Sequence, residues 1–93
     1  MIAVLIEFDV KPECRAAFEA RLRVDARETL VDDGCLRMEI LQPQAAGDCI
    51  MLSELWRDQQ AIDAHRGKPG HSHAWQEPLI TAKRVTVCDV AQG

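Results

Sequence analysis

Apolar and polar residues alternate along IAVLIEFDV, residues 2–10, so that Ile2, Val4, Ile6, Phe8 and Val10 share one face of a predicted strand. The opposite face, Ala3, Leu5, Glu7 and Asp9, is only partly polar. From Pro12 to Asp33 the spacing turns helical, with Cys14, Phe18, Leu22 and either Asp25 or Ala26 along one stripe. Pro12 suits the first helical turn, where its missing N–H costs nothing. Glu19–Arg23 and Arg21–Asp25 place opposite charges one turn apart on the outer surface. Gly34 is placed to close the helix in a left-handed conformation. CLRMEILQP (35–43) and CIMLSELWR (49–57) then predict a hairpin around a turn at Gln44–Asp48 that contains Gly47. Asp58 is a good N-cap for a short helix running to about Arg66, which Lys68-Pro69-Gly70 breaks. HSHAWQEPLI (71–80) resumes as a second helical piece, and AKRVTVCDV (82–90) alternates like a last strand.

The order βαββαβ, with its second helix broken, predicts a ferredoxin-like α+β sandwich in a single domain, residues 1–93, with the helices on one face of an antiparallel sheet. The third strand adds a further expectation. Ile50, Leu52, Glu54 and Trp56 share one of its faces and Cys49, Met51, Ser53 and Leu55 the other, and both are largely apolar. Helices can cover only one. A chain this small cannot hide the second face by itself, which predicts a homodimer in which two open sheet faces meet.

Composition narrows the partners. The chain is 47% hydrophobic and 28% charged, as in a soluble globular protein. A formal net charge of −4, with Lys and Arg scattered, argues against nucleic acid or an anionic membrane as partner. MIAVLIEFDVKPE has no basic leader and Glu7 cuts its apolar run, so neither a signal peptide nor a membrane span is predicted and a cytoplasmic location is expected. Cys14, Cys35, Cys49 and Cys88 are spaced irregularly and read as reduced thiols serving as small buried hydrophobes. His65, His71 and His73 form an H-x5-H-x-H cluster, but the broken helix does not supply four zinc ligands, and no metal is expected. No phosphate loop, GxSxG or flavin, nicotinamide or haem signal is readable, so no cofactor is expected either.

Candidate chemistry concentrates in SELWRDQQAIDAHR, residues 53–66. Glu54 and Trp56 are two apart on a strand and point the same way. Ala61 and Ile62 are the apolar positions of the following helix, and they turn its stripe, with His65, toward the sheet. Each residue has a structural alternative. A histidine at a helix end is a favourable cation against the macrodipole, and a strand tryptophan is commonly core. Glu54 is harder to dismiss, because a carboxylate between Leu52 and Trp56 needs a partner. That partner is the neighbourhood of Arg57, a backbone N–H, or His65.

These residues resemble a known family. Glu54-x-Trp56 followed by Ala61 and Ala64-His65 is similar to the signature of the antibiotic biosynthesis monooxygenase domain. Val10-x-Pro12 before the first helix, the Asp33-Gly34-Cys35 turn and the terminal strand extend the resemblance over essentially the whole chain. It implies a dimeric α/β barrel, a pocket between helices and sheet, and cofactor-independent oxygenation of a quinol or polyketide-type phenol by O2. It carries over His65, Glu54 and Trp56, and also His71, which lies in a run, RGKPGHSHAW, one residue longer than the family's corresponding step. The haem-degrading branch of the superfamily uses an asparagine on the first strand and a tryptophan near the position of His65. This chain has neither there, so haem cleavage is not expected. On this reading a small dihydroxy-aromatic substrate enters an apolar slot lined by Trp56, Leu52, Ile6, Phe8 and Phe18. His65, neutral and held by Glu54 or by water, acts as general base, and His71 hydrogen-bonds a second oxygen. Two alternatives stand beside it: an isomerase or tautomerase using the same His/Glu pair, and a non-catalytic ligand-binding dimer in which that pair is structural.

Overall fold

Strand alternation and the Asp58 cap account for much of the architecture. In the computed structural model, which describes residues 1–45 and 47–93, Ile2–Val10 form β1, Arg15–Leu30 α1, Cys35–Leu41 β2, Cys49–Trp56 β3, Gln59–Arg66 α2 and Ile80–Asp89 β4. A 3-10 turn at Pro12–Cys14 leads into α1, and a 3-10 helix at Ala74–Leu79 precedes β4. Ala46, in the expected turn Gln44–Asp48, lies outside the described residues. The sheet runs β2-β3-β1-β4 with every pairing antiparallel, the ferredoxin-like arrangement that the element order predicted.

Some boundaries differ from expectation. Pro12 opens a 3-10 turn, closed by the Cys14 N–H donating to Lys11 O at 2.8 Å, and the α-helix proper begins only at Arg15. The last strand starts at Ile80 rather than Ala82, because Ile80 already pairs with Val10 across a register shift. Gly34 is left-handed, at φ 85°, as expected, but it does not close the helix: α1 ends at Leu30 with Val31 as its C-cap, and Gly34 sits in the turn that leads into β2. No helix among the described residues is long and apolar enough to cross a membrane.

The core lies between the helices and the inward face of the sheet. Val4, Ile6, Phe8 and Val10 of β1 and Ile50, Leu52 and Trp56 of β3 meet Phe18 and Leu22 of α1 and Ala61 and Ile62 of α2. Phe8 and Phe18 pack edge to face with centroids 4.9 Å apart. Coverage stops short of β4: Val85 and Val87, which pair with Ile6 and Val4, are both more than half exposed.

The opposite face is more polar than the third strand alone implied. Ala3, Leu5, Met51, Leu55 and Cys88 form an apolar strip of partly exposed side chains. Beside it Arg84 reaches Glu7 at 2.8 Å and Asp9 at 2.9 Å, while Arg37 donates to Ser53 at 3.2 Å and pairs with Glu39 at 3.0 Å. The four cysteines are free thiols and half-buried, not fully buried as expected.

Candidate active site

The short helix α2 is set by its ends. Asp58, extended at φ −162°, accepts the Ala61 N–H at 2.9 Å and so starts the helix, burying Ala61 and Ile62 against the sheet. His65 follows one turn later on the same stripe and sits beside Trp56, ring centroids 5.1 Å apart. The turn between α1 and β2 comes up against this helix. At Gly34 a Cβ would collide with the Ala61 Cβ, so only glycine lets the turn approach, and the Arg57 N–H donates to Gly34 O at 2.8 Å. That approach delivers Asp32 to His65.

Asp32 Oδ2 lies 2.6 Å from His65 Nδ1, and Asp32 Oδ1 accepts from Lys68 Nζ at 2.7 Å. Both members of the dyad are largely buried, with side-chain exposures of 14% and 12%. Burial by itself would raise the Asp32 carboxyl, but hydrogen bonds from Lys68 and His65, together with their charges, hold it below the ordinary carboxylate value. An ionised carboxylate only accepts, so His65 Nδ1 carries a proton, and it is Nε2 that is left to exchange a proton with a ligand.

The dyad opens onto a pocket of about 180 Å3 whose floor is Ile6, Phe8, Leu52 and Met38 and whose rim includes His65, His71, His73 and Gln76. His71 stacks edge-on against His65 at 4.3 Å, and His73 against His71 at 4.6 Å. Burial and the neighbouring His65 lower the His71 imidazole. Burial, then Lys83 and the two other imidazoles, push His73 down to about 4. Both rings are therefore neutral at neutral pH and free to accept as well as donate. Among the described residues no group of three or more His, Cys, Asp or Glu is arranged to hold a metal ion.

Most of the residues singled out in the sequence converge here, with two corrections. Glu54 does not pair with His65: its Oε1 accepts the Trp56 indole N–H at 2.8 Å. The reason is local, since residues two apart on a strand share a face and the indole is the nearest donor. His65 takes a carboxylate 33 positions away, from Asp32, instead. Trp56 and Phe18 do not line the pocket. Both are fully buried behind it, Trp56 against His65 and Phe18 beneath Phe8. Ile6, Phe8, Leu52, Glu54, His65 and His71 do line it. His73, named in the sequence only as a member of the histidine cluster, lines it too, whereas Asp32 and Gln76 were not anticipated. Only Asp32 had a legible signal: an acid just past a helix C-terminus opposes the macrodipole and calls for a cationic or donor partner.

Comparison with known proteins bears on the fold and the family. A family model described as antibiotic biosynthesis monooxygenase matches residues 1–77. Rv0793 of Mycobacterium tuberculosis, which bears a provisional monooxygenase name, is 32% identical over 68 residues, 73% of this chain and 66% of that protein. Its solved structure superposes with a TM-score of 0.85 at 28% identity, covering 99% of this chain and 96% of that one. A structure from Deinococcus radiodurans assigned to the same family gives a TM-score of 0.91 at 21% identity, over 100% of this chain and 95% of the other. SnoaB of Streptomyces nogalater, described as a cofactor-independent oxygenase, gives 0.87 at 20% identity, over 99% and 94%. With the family model spanning most of its length and the fold shared throughout, the chain belongs to the antibiotic biosynthesis monooxygenase family.

Proposed function

We propose that this protein is a cofactor-independent monooxygenase that oxidises a small quinol or related phenol with O2, using His65 as general base. The observation that carries the reading is the Asp32–His65 dyad, a buried carboxylate fixing the tautomer of an imidazole at the rim of an apolar-floored pocket. A phenol titrates near pH ~10 in water, so at neutral pH it needs a base to become the electron-rich anion. His65 Nε2 takes that proton, and such a base typically contributes about 100- to 10,000-fold. The phenolate gives an electron to O2, the two radicals combine at a ring carbon, and loss of water leaves one oxygen atom in the product. All four electrons that O2 takes up come from the substrate, two for the inserted oxygen and two for the water. The protein supplies the base, holds the ring and excludes water.

Size favours the smaller substrates. A closed apolar cavity of about 150 Å3 holds benzene, and this pocket is about 180 Å3. It suits one ring inside, with a second projecting past the exposed Gly70 and Ser72. A two-ring quinol such as menadiol fits that description better than a four-ring polyketide.

The test is oxygen consumption by purified protein with menadiol, and with anthrone for comparison, without added metal or flavin. Uptake above the uncatalysed rate is expected, and His65→Ala is expected to lose most of it. A His65→Ala protein with full activity sinks the assignment. The same dyad also suits proton transfer in an isomerase or tautomerase, which an oxygen electrode separates because no O2 disappears. We further propose that the protein works as a homodimer joined through the apolar strip of its open sheet face.

A further inference from the structure

Gln76, in the 3-10 helix, is only 5% exposed and lines the pocket. Its Oε1 accepts from Lys83 Nζ at 2.9 Å. An ammonium has hydrogens to give and no lone pair, so the amide can meet Lys83 only with its oxygen. Its nitrogen, Nε2, must then face the other way. Among the described residues no protein acceptor meets that nitrogen, yet no buried side-chain nitrogen or oxygen lacks a partner, so Nε2 reaches open space. Gln76 lines both the main pocket and the shallow hollow between the 3-10 helix and β4, whereas Lys83 lines the hollow alone, so with Oε1 held on that side the amide nitrogen is the atom left to serve the main pocket.

The amide is held from two more directions. Trp75, its neighbour in sequence, donates from Nε1 to Asp25 Oδ2 at 2.9 Å and lies under the Arg21 guanidinium at 5.0 Å, tying the 3-10 helix to α1. Lys83 is itself fixed, its Nζ 5.4 Å from the Phe8 ring centroid. Burial lowers the Lys83 pKa, while the Glu54 carboxylate works against that and favours the ammonium.

We propose that Gln76 is the pocket's oxygen-binding group, donating its amide N–H to an anionic oxygen of the aromatic ligand, and that Lys83 is the positioning residue that locks the amide in that orientation. The proposal rests on the reading of the pocket as a phenol site and names the group that receives the phenolate once His65 has made it. A charged neighbour on Oε1 also polarises the amide and strengthens its N–H as a donor.

Binding of 4-nitrophenolate and of 4-nitrotoluene, its neutral counterpart of similar shape, tests this apart from turnover, because the nitro group leaves both rings too electron-poor to reduce O2. Wild-type protein is expected to prefer the phenolate. Gln76→Met should weaken phenolate binding about ten- to a hundredfold and leave nitrotoluene within about twofold. Lys83→Met should weaken the phenolate about tenfold, and adding it to Gln76→Met should cost nothing more, since Lys83 acts through the amide. Gln76→Glu keeps an oxygen for Lys83, and with it the local fold, but turns a second acceptor toward the ligand. It should lose the phenolate and retain nitrotoluene. Phenolate binding unchanged in both Gln76 variants, or equal weakening of the two ligands, overturns the proposal. So does a Lys83→Met loss that persists undiminished in the Gln76→Met background. A phenolate preference that depends on Gln76, in a protein that consumes no oxygen with menadiol, supports this donor and removes the oxygenase reading instead.

Discussion

Lys68 and the Trp56 indole can only donate hydrogen bonds, and that one-sidedness fixes the carboxylates beside them. It also sets the outcome of Asp32→Asn. Lys68 would claim the amide oxygen, leaving the amide N–H to face His65 Nδ1 and forcing the imidazole proton onto Nε2, the wrong tautomer for a base. The variant is expected to fold, as judged by its circular dichroism, and to lose about a hundredfold or more in oxygen uptake. The histidine ladder makes a second prediction at this scale. His73 titrates near 6.5 in the unfolded chain and at about 4 in the fold, so between those values the unfolded state binds more protons. Its contribution to stability is present above about 6.5 and lost as the pH falls to about 4. His71 is shifted in the same direction. His73→Gln should therefore flatten the acid side of a melting-temperature profile. Glu54 marks how far the sequence reached. The need of an inward carboxylate for a partner was legible, and so was the indole on the same strand face. The choice of Asp32 for His65 was not, because it depends on how closely a turn approaches a helix.

Between elements, that approach hangs on Gly34. Its positive φ and the Ala61 methyl group both exclude a side chain. Gly34→Ala is expected to cost about 2–4 kcal/mol in urea unfolding, from left-handed strain plus overpacking. Because the displaced turn carries Asp32, activity should fall further than the population of unfolded protein explains. The elements themselves were largely written in the pattern: alternation gave β1 and β3 and Asp58 gave the start of α2, whereas the first helix stops at Leu30, short of the glycine expected to close it. The path from Gly67 to Ala74 was not, since its Gly and Pro residues say where helix stops and nothing about where the chain goes next. His71, His73 and Gln76 reach the pocket only through that path.

For the whole molecule, the pocket and the proposed interface lie on opposite sides of one sheet. Leu5→Glu would set a second carboxylate beside Glu7 in the middle of the open face. It should convert a dimer into a monomer in sedimentation velocity while leaving nitrophenolate binding intact, because the pocket lies on the other side of the sheet. Sedimentation of the unaltered protein as a clean monomer at micromolar concentration would remove the dimer altogether. The separation of the two surfaces comes down to odd and even positions in β3, where Glu54 and Trp56 turn in and Ser53 and Leu55 turn out. A slip of one residue against β1 would hand Leu55 to the pocket and Glu54 to the interface. The strand therefore works as a parity lock: substitutions can alter one side at a time, but an insertion or deletion between Cys49 and Trp56 can spare neither.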